Sequence, residues 1–460
     1  MLKKLFPYKL QLQIFQLDEY SVSKFLRWIS THFFVRELEN KKPLVLTQKA
    51  TFIYYLSLIL TFLCVIVLIF KLKLLGLILG FLITTQSYLF LIIAYYLLLP
   101  FEQYKKNKIK QDTQEKISSL KKLTVIGITG SYGKTSVKEF LYQILKTEYS
   151  VLKTPESYNT PYGIAMVVDL ELDDSYEYFI CEMGAYRTGE IKEICDMVHP
   201  KYGVLTGINE QHLETFGSLE NTMKGKFELI DSLPENGWGI INIDNPHIKN
   251  NYQKYDKKLF TYGFTDEKFT IKNIKHHASG SEFTLVLDGK EHFAKTKLLG
   301  KPNLQNILAA ATMSFLLGVK TQSIIAAIAD LEPVPHRLEI KKQEKVTIID
   351  DAYNSNVNGF KEAISLLKEF KQPKILVTPG IVDLGDQTFA IHKTLGMLLE
   401  ELDYIFLVGK SERTNGLKDG IKEKSKIVET ETLHAALKKI HEMELVHPVV
   451  LLENDLPDNY

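Results

Sequence analysis

Gly127-Ile128-Thr129-Gly130-Ser131-Tyr132-Gly133-Lys134-Thr135-Ser136 stands where an apolar run, residues 123–128, gives way to a helical pattern. Val137, Phe140, Leu141, Ile144 and Leu145 then recur at helical spacing, so the stretch predicts a strand, a glycine-rich loop and a helix in succession. A helix opening on such a loop points unpaired N–H groups and the positive end of its dipole at whatever the loop holds. Glycines let the backbone approach phosphate oxygens, Lys134 supplies a cation for the β and γ phosphates, and the Thr135 hydroxyl suits a magnesium ligand. The reading is a nucleoside triphosphate site, with Gly130, Ser131, Gly133, Lys134, Thr135 and Ser136 as its members. The strict pattern G-x-x-x-x-G-K would place a glycine where this chain has Ile128; its glycines fall at 127, 130 and 133 instead.

The 460 residues carry 56 basic and 55 acidic side chains, a net charge of +1. That length allows about two or three domains, and the balanced charge gives no electrostatic case for nucleic acid. Cys64, Cys181 and Cys195 show neither metal spacing nor a disulfide framework, which points to a reducing compartment.

Residues 52–70 and 74–99 are uncharged apolar runs, each long enough at ~1.5 Å per residue to cross a hydrocarbon core of roughly 30 Å. Only Lys71, Leu72 and Lys73 separate them, so the expectation is a transmembrane helical hairpin with both flanks on one side. Lys105, Lys106, Lys108, Lys110, Lys116, Lys121 and Lys122 follow the second run, and Arg36, Lys41, Lys42 and Lys49 precede the first. This bias puts both flanks in the cytoplasm and the chain in the cytoplasmic membrane, with membrane lipid as a partner. Two buried helices of a soluble core would give the same composition, and residues 1–50 read equally as an interfacial segment or a small helical cap. The expected organisation is residues 1–50, two spans in 51–100, a basic linker at 101–122, a central ATP-binding domain at 123–332 and a smaller domain at 333–460.

From residue 123 onward strand and helix patterns alternate, which argues for an α/β fold with a mostly parallel sheet. One strand runs into Glu182, and residues 202–208 run into Asn209 and then His212. Ligands of open α/β sheets sit at the carboxyl ends of strands, so Glu182 and His212 should converge on the phosphate loop as magnesium ligands. A hydrogen-bonded loop histidine is the other reading of His212. Lys226 falls on an apolar helix stripe with Leu219, Met223, Ile230 and Leu233, where a lysine must pair, snorkel or lose its charge.

In the order Gly127 to Ser136, Glu182-Met183-Gly184-Ala185, Gly189-Glu190-Ile191, His212 to Ser218, Lys226, Gly300 to Asn306, His336-Arg337-Leu338-Glu339 and Asp350 to Asn354, the chain resembles the Mur ligase family across residues 123–460. The resemblance implies a central ATPase domain, a smaller Rossmann-like C-terminal domain and ADP-forming amide ligation through an acyl phosphate. It further implies ATP and Mg2+, with a UDP-muramoyl peptide as acceptor and D-alanyl-D-alanine as the amine; the paired apolar runs add a lipid-linked precursor as the other expected acceptor. Lys134 and Thr135 would meet the β and γ phosphates, and Glu182 and His212 the metals. Lys226 matches the lysine that is carbamylated to become an anionic metal ligand. Asn303 and Asn306 would lie beside adenine, and Arg337 and Asp351 would close over ATP.

Three departures from the family pattern stand out. Two apolar runs occupy the place of the N-terminal domain that grips UDP, which opens the identity of the acceptor. The run Asp-Asp-Ser-Tyr-Asn-x-Asn-Pro becomes Asp350-Asp351-Ala352-Tyr353-Asn354-Ser355-Asn356-Val357, losing a serine and a proline. The run Gly-Asp-Met-x-Glu-Leu-Gly becomes Gly380-Ile381-Val382-Asp383-Leu384-Gly385, without the acid after the glycine. Another amide ligase of the superfamily, or a non-enzymatic membrane nucleotide-binding scaffold, would share many of these features; intact Lys134, Glu182, His212 and Lys226 speak against the scaffold.

Overall fold

The apolar run ahead of the glycine-rich loop forms strand β1 (Thr124–Thr129), buried along nearly its whole length in a parallel six-stranded sheet. The computed structural model describes residues 7–31, 44–85, 87–156, 158–209, 213–277, 280–342, 344–353, 356–382 and 384–454. The chain divides into two units, residues 1–109 and 110–460.

In the second unit, β1 is joined by β2 (Val151–Lys153), β3 (Tyr178–Glu182), β4 (Tyr202–Leu205), β5 (Trp238–Asn242) and β6 (Leu259–Tyr262). The spatial order is β2-β3-β1-β4-β5-β6. The chain thus leaves β1 toward β2 and β3 on one side and reaches β4, β5 and β6 on the other, making the carboxyl end of β1 a topological switch point. The helix Lys134–Leu145 buries Val137, Phe140, Leu141 and Ile144 against Ile126 and Ile128 of β1 and Leu304 and Leu308 of the helix Lys301–Leu316. Each such side chain contributes roughly 1.5–3 kcal/mol on burial, so the two helices that frame the loop are anchored by core packing.

An antiparallel sheet of β7 (Thr270–His277), β8 (Gly280–Leu287) and β9 (Lys290–Thr296) follows. Beyond it come β10 (Glu339–Lys342), β11 (Thr347–Asp351), β12 (Lys374–Thr378), β13 (Tyr404–Val408), β14 (Ile427–Thr430) and β15 (Val449–Glu453). These form a second sheet in the order β10-β11-β15-β12-β13-β14, antiparallel only at β10. The α/β expectation therefore holds in both sheets.

Among the described residues of the first unit, one helix, Gln48–Leu72, is by itself long and apolar enough to cross a membrane. The second expected span is not a single helix: Leu74–Thr85 and Ser87–Ser119 meet at 72°, and only as a bent pair do they pass for a span. Thr84 and Thr85, in the last turn of Leu74–Thr85, donate their hydroxyls to the carbonyls of Phe81 and Leu82. A Cβ on Gly76 would lie 2.0 Å from the Leu68 carbonyl oxygen and one on Gly80 3.0 Å from a Val65 methyl, so small residues allow the close packing of Leu74–Thr85 on Gln48–Leu72. The basic stretch expected as a linker is helical to Ser119, with Pro100 inside the helix. Leu12, Phe15, Phe25 and Ile29 pack with Ala50, Ile53, Leu91 and Ala94, so the helices Tyr8–Leu17 and Val22–Thr31 share a core with the apolar helices.

Candidate active site

The loop after β1 is shaped by glycines where side chains cannot fit. Gly133 has φ +78, and a Cβ there would lie 2.7 Å from Asn306 Oδ1; one on Gly130 would lie 2.1 Å from Thr206 Oγ1. The loop is therefore pressed between the end of β4 and the helix that begins at Lys301. Ser131 N–H donates to the Gly207 carbonyl at 2.7 Å, the Ser131 hydroxyl accepts from Asn209 N–H, and Thr206 Oγ1 bonds the Tyr132 carbonyl. Gly133 caps the helix Lys134–Leu145 without a side-chain bond, leaving the first-turn N–H groups directed at the cradle. Ser136 is buried in that first turn.

Lys134 folds over the loop and donates to the Gly130 carbonyl at 2.7 Å. Burial pushes its ammonium toward the neutral form, and Glu182 opposes that shift. Glu182, at the end of β3, is 1 % exposed. Its Oε1 accepts from Thr135 Oγ1 at 3.3 Å and from Asn159 Nδ2 at 3.1 Å. Burial alone would raise its pKa, but Lys138 and Lys134 beside it reverse that and hold the carboxylate below its ordinary value. Among the described residues its Oε2 takes no directed hydrogen bond and is met only by the ion pair with Lys138.

Lys226 lies on the helix Leu219–Asp231 and is 3 % exposed, so it does not snorkel. Its Nζ donates to the Ala185 carbonyl at 3.3 Å and sits 5.4 Å from the centroid of Phe216. Burial, then Lys134, bring its pKa down to about 7 against the pull of Glu190 and Glu228. His212 lies outside the described residues, as do Asn354 and Asp383.

Arg337, from the segment joining the two sheets, donates to Thr135 Oγ1 at 3.3 Å and lies 4.6 Å from the Tyr353 ring centroid. His336 and Leu338 on either side adopt left-handed φ of +59 and +50, strained for such side chains, and Leu338 N–H is held by Asp351 Oδ1 at 3.1 Å. Burial pushes the Asp351 carboxyl up to about 6, with Leu338 N–H and Arg337 pulling against it. A cavity of about 310 Å³ runs from Tyr132, Gly133 and Asn306 past Asp244 to Arg337 and Asp351. Asn303 is buried and donates to the Leu299 carbonyl; it borders the cavity while fixing the helix start. Lys134, Thr135, Glu182, Asn306, Arg337 and Asp351, expected from sequence, are thus gathered at the switch point.

Tyr132, Asp244, Asn245 and Gln305 also line this cavity, and nothing in their spacing marked them. Lys138 and Asn159 flank Glu182. Lys138 had a signal: it stands between Val137 and Leu141 on the apolar stripe of its helix, the anomaly that singled out Lys226.

Residues 128–314 match the Mur ligase middle domain, and residues 336–452 match the Mur ligase glutamate ligase domain. The chain is 34% identical over 306 residues to the UDP-N-acetylmuramoyl-tripeptide–D-alanyl-D-alanine ligase of Escherichia coli K12, covering 65% of this chain and 67% of that one. It belongs to the Mur ligase family. The corresponding ligase of Bacillus subtilis is 32% identical, over 62% of this chain and 63% of its own. The chain therefore spans about two thirds of the length of these relatives. The MurF ligase of Thermotoga maritima, solved in complex with ADP, superposes with a TM-score of 0.71 at 27% identity, over 76% of this chain and 80% of that one. Within the Mur ligase frame, the matched segments take in the loop, Glu182 and Lys226 in the first and Arg337 and Asp351 in the second.

Proposed function

We propose that this Mur ligase joins D-alanyl-D-alanine to a UDP-N-acetylmuramoyl-tripeptide in peptidoglycan synthesis, forming ADP. The reading rests on one observation above others: Lys134, Thr135, Glu182 and Arg337 meet around a glycine cradle at the switch point of the sheet. The identities to ligases of that name support the choice of substrates.

The substrate carboxylate attacks the γ phosphate of ATP, giving an acyl phosphate and ADP; the dipeptide amine then attacks the carbonyl and phosphate leaves. Lys134 and the first-turn N–H groups neutralise charge on the phosphates. Arg337 brings the C-terminal domain onto Thr135, which helps exclude water that would hydrolyse the acyl phosphate. Asn306 and Asn303 border the nucleotide cavity. The donors suit magnesium: an ionised, buried carboxylate on Glu182 with an undirected oxygen, and the hydroxyl of Thr135 beside it. Thr135, Glu182, His212 and a carbamylated Lys226 would hold it, and bound magnesium would screen the charge of the transferring phosphoryl group. A Lys226 amine whose pKa is about 7 is partly neutral at physiological pH, as reaction with carbon dioxide requires.

A second reading, ligation onto a lipid-linked precursor, is favoured by the apolar helix Gln48–Leu72. In it the bent pair forms a second span, lysines 105 to 122 keep the ligase domains cytoplasmic, and membrane lipid surrounds the anchor. The test is ADP release by detergent-solubilised protein offered soluble or lipid-linked muramoyl peptides, each with D-alanyl-D-alanine. ADP release dependent on both the soluble acceptor and the dipeptide supports the first reading; dependence on the lipid-linked acceptor alone overturns it in favour of the second.

A further inference from the structure

We infer that Lys138 and Asn159 are positioning residues that clamp the Glu182 carboxylate from two sides for magnesium–nucleotide binding. The inference rests on the proposal that Glu182 is a magnesium ligand.

Lys138 is wholly buried, one helical turn beyond Lys134. Its Nζ lies 3.2 Å from Glu182 Oε2 and 3.6 Å from Glu139 Oε1, and it also donates to the Glu156 carbonyl. Glu156 holds a left-handed φ of +39, so the staple fixes a backbone that is otherwise unfavourable. Three residues on, Asn159 donates to the other oxygen of Glu182 at 3.1 Å, and its carbonyl accepts from Gly184 N–H at 2.8 Å. A Cβ on Gly184 would lie 2.6 Å from Asn159 Oδ1, so the loop is seated tightly against the strand end that carries Glu182.

One lysine therefore does two things. It pairs with Oε2 directly, and through Glu156 it holds the loop whose amide meets Oε1. A buried ammonium in such a place is costly unless paired, and its pairing here restricts the rotation of a carboxylate. A lysine needed only to fill space would be replaceable by methionine without effect on metal binding.

The experiment measures ADP binding to full-length, detergent-solubilised protein by calorimetry, in EDTA and in magnesium. For Lys138→Met, affinity for ADP in EDTA should stay near that of the unaltered protein, while the tightening produced by magnesium falls at least tenfold. Asn159→Ala, on a surface loop, should lose the same tightening and serves if Lys138→Met does not fold. Equal weakening with and without magnesium would reduce both residues to structural support and overturn the clamp. Full magnesium-dependent tightening in Asn159→Ala overturns it as well. Unaltered protein whose ADP affinity ignores magnesium would instead overturn the metal role of Glu182 itself.

Discussion

Arg337 Nη2 lies 3.3 Å from Thr135 Oγ1, so a residue of the inter-domain segment touches the phosphate loop 202 positions before it. The guanidinium also covers the ring of Tyr353, so it is held on one face while its donors point at the cradle. Arg337→Ala should lower kcat/KM for ATP by ~10-fold or more, the loss expected for one charge-assisted contact of about 1.5–3 kcal/mol. Arg337→Lys should recover little, because an ammonium neither stacks nor forks in the same way. Steady-state ADP formation by the three proteins checks this; wild-type kinetics in Arg337→Ala would remove the arginine from the closed site.

Lys134→Ala should cut ADP formation by about 10²–10³-fold while the protein remains folded. The side chain packs on loop carbonyls rather than in a core, so its loss costs little stability. Substantial turnover in this variant would displace the loop from the reaction.

Much of this site was legible in sequence because loop chemistry is local. Glycines at 130 and 133, Lys134 and Thr135 announce a cradle within one turn of chain, and Lys226 announces itself by standing on an apolar stripe; Lys138 stands on one too and was passed over. What periodicity could not show is convergence between distant segments: Asn159 on Glu182, or Gln305 on Asp244, are meetings set by sheet order. The 72° angle between Leu74–Thr85 and Ser87–Ser119 was hidden for a different reason. Hydropathy counts Thr84, Thr85 and Ser87 as tolerable in a span and carries no information on the direction in which successive helices run.

Lys226 offers a pH test. Its folded pKa of about 7 lies below the ordinary lysine value of 10.5, so between these values the unfolded chain binds the extra proton and stability rises with pH. In carbon dioxide-free buffer the slope should reach up to about 1.4 kcal/mol per pH unit above pH 7, and Lys226→Met should flatten it. Carbamylation turns the neutral amine and carbon dioxide into a carbamate and a proton, so bicarbonate should restore activity lost on degassing. Lys226→Ala should be nearly inactive and partly rescued by acetate. Indifference to bicarbonate and acetate, with a flat stability profile, would leave Lys226 an ordinary buried lysine.

The apolar unit carries the last prediction. Gln48–Leu72 exposes Phe52, Tyr55, Ile59, Phe62, Leu63 and Val67, a belt that water would not tolerate in a soluble monomer of this size. If lipid covers it, the full-length protein should sediment with membranes and resist extraction by high salt, since the attachment is hydrophobic rather than electrostatic. A chain beginning at Lys110 keeps the contacts of Gln114 with Asp196 and of Lys116 with Asp169, and should be soluble and active. Tethering confines enzyme and lipid-linked acceptor to one surface and raises their effective concentration without new contacts. The two proteins should therefore work equally on a soluble UDP-linked peptide, while only the full-length one gains on a lipid-linked peptide in bilayers. Equal rates on both acceptors would make the apolar helices a passive anchor, and release of the full-length protein by salt would show that they do not enter the bilayer.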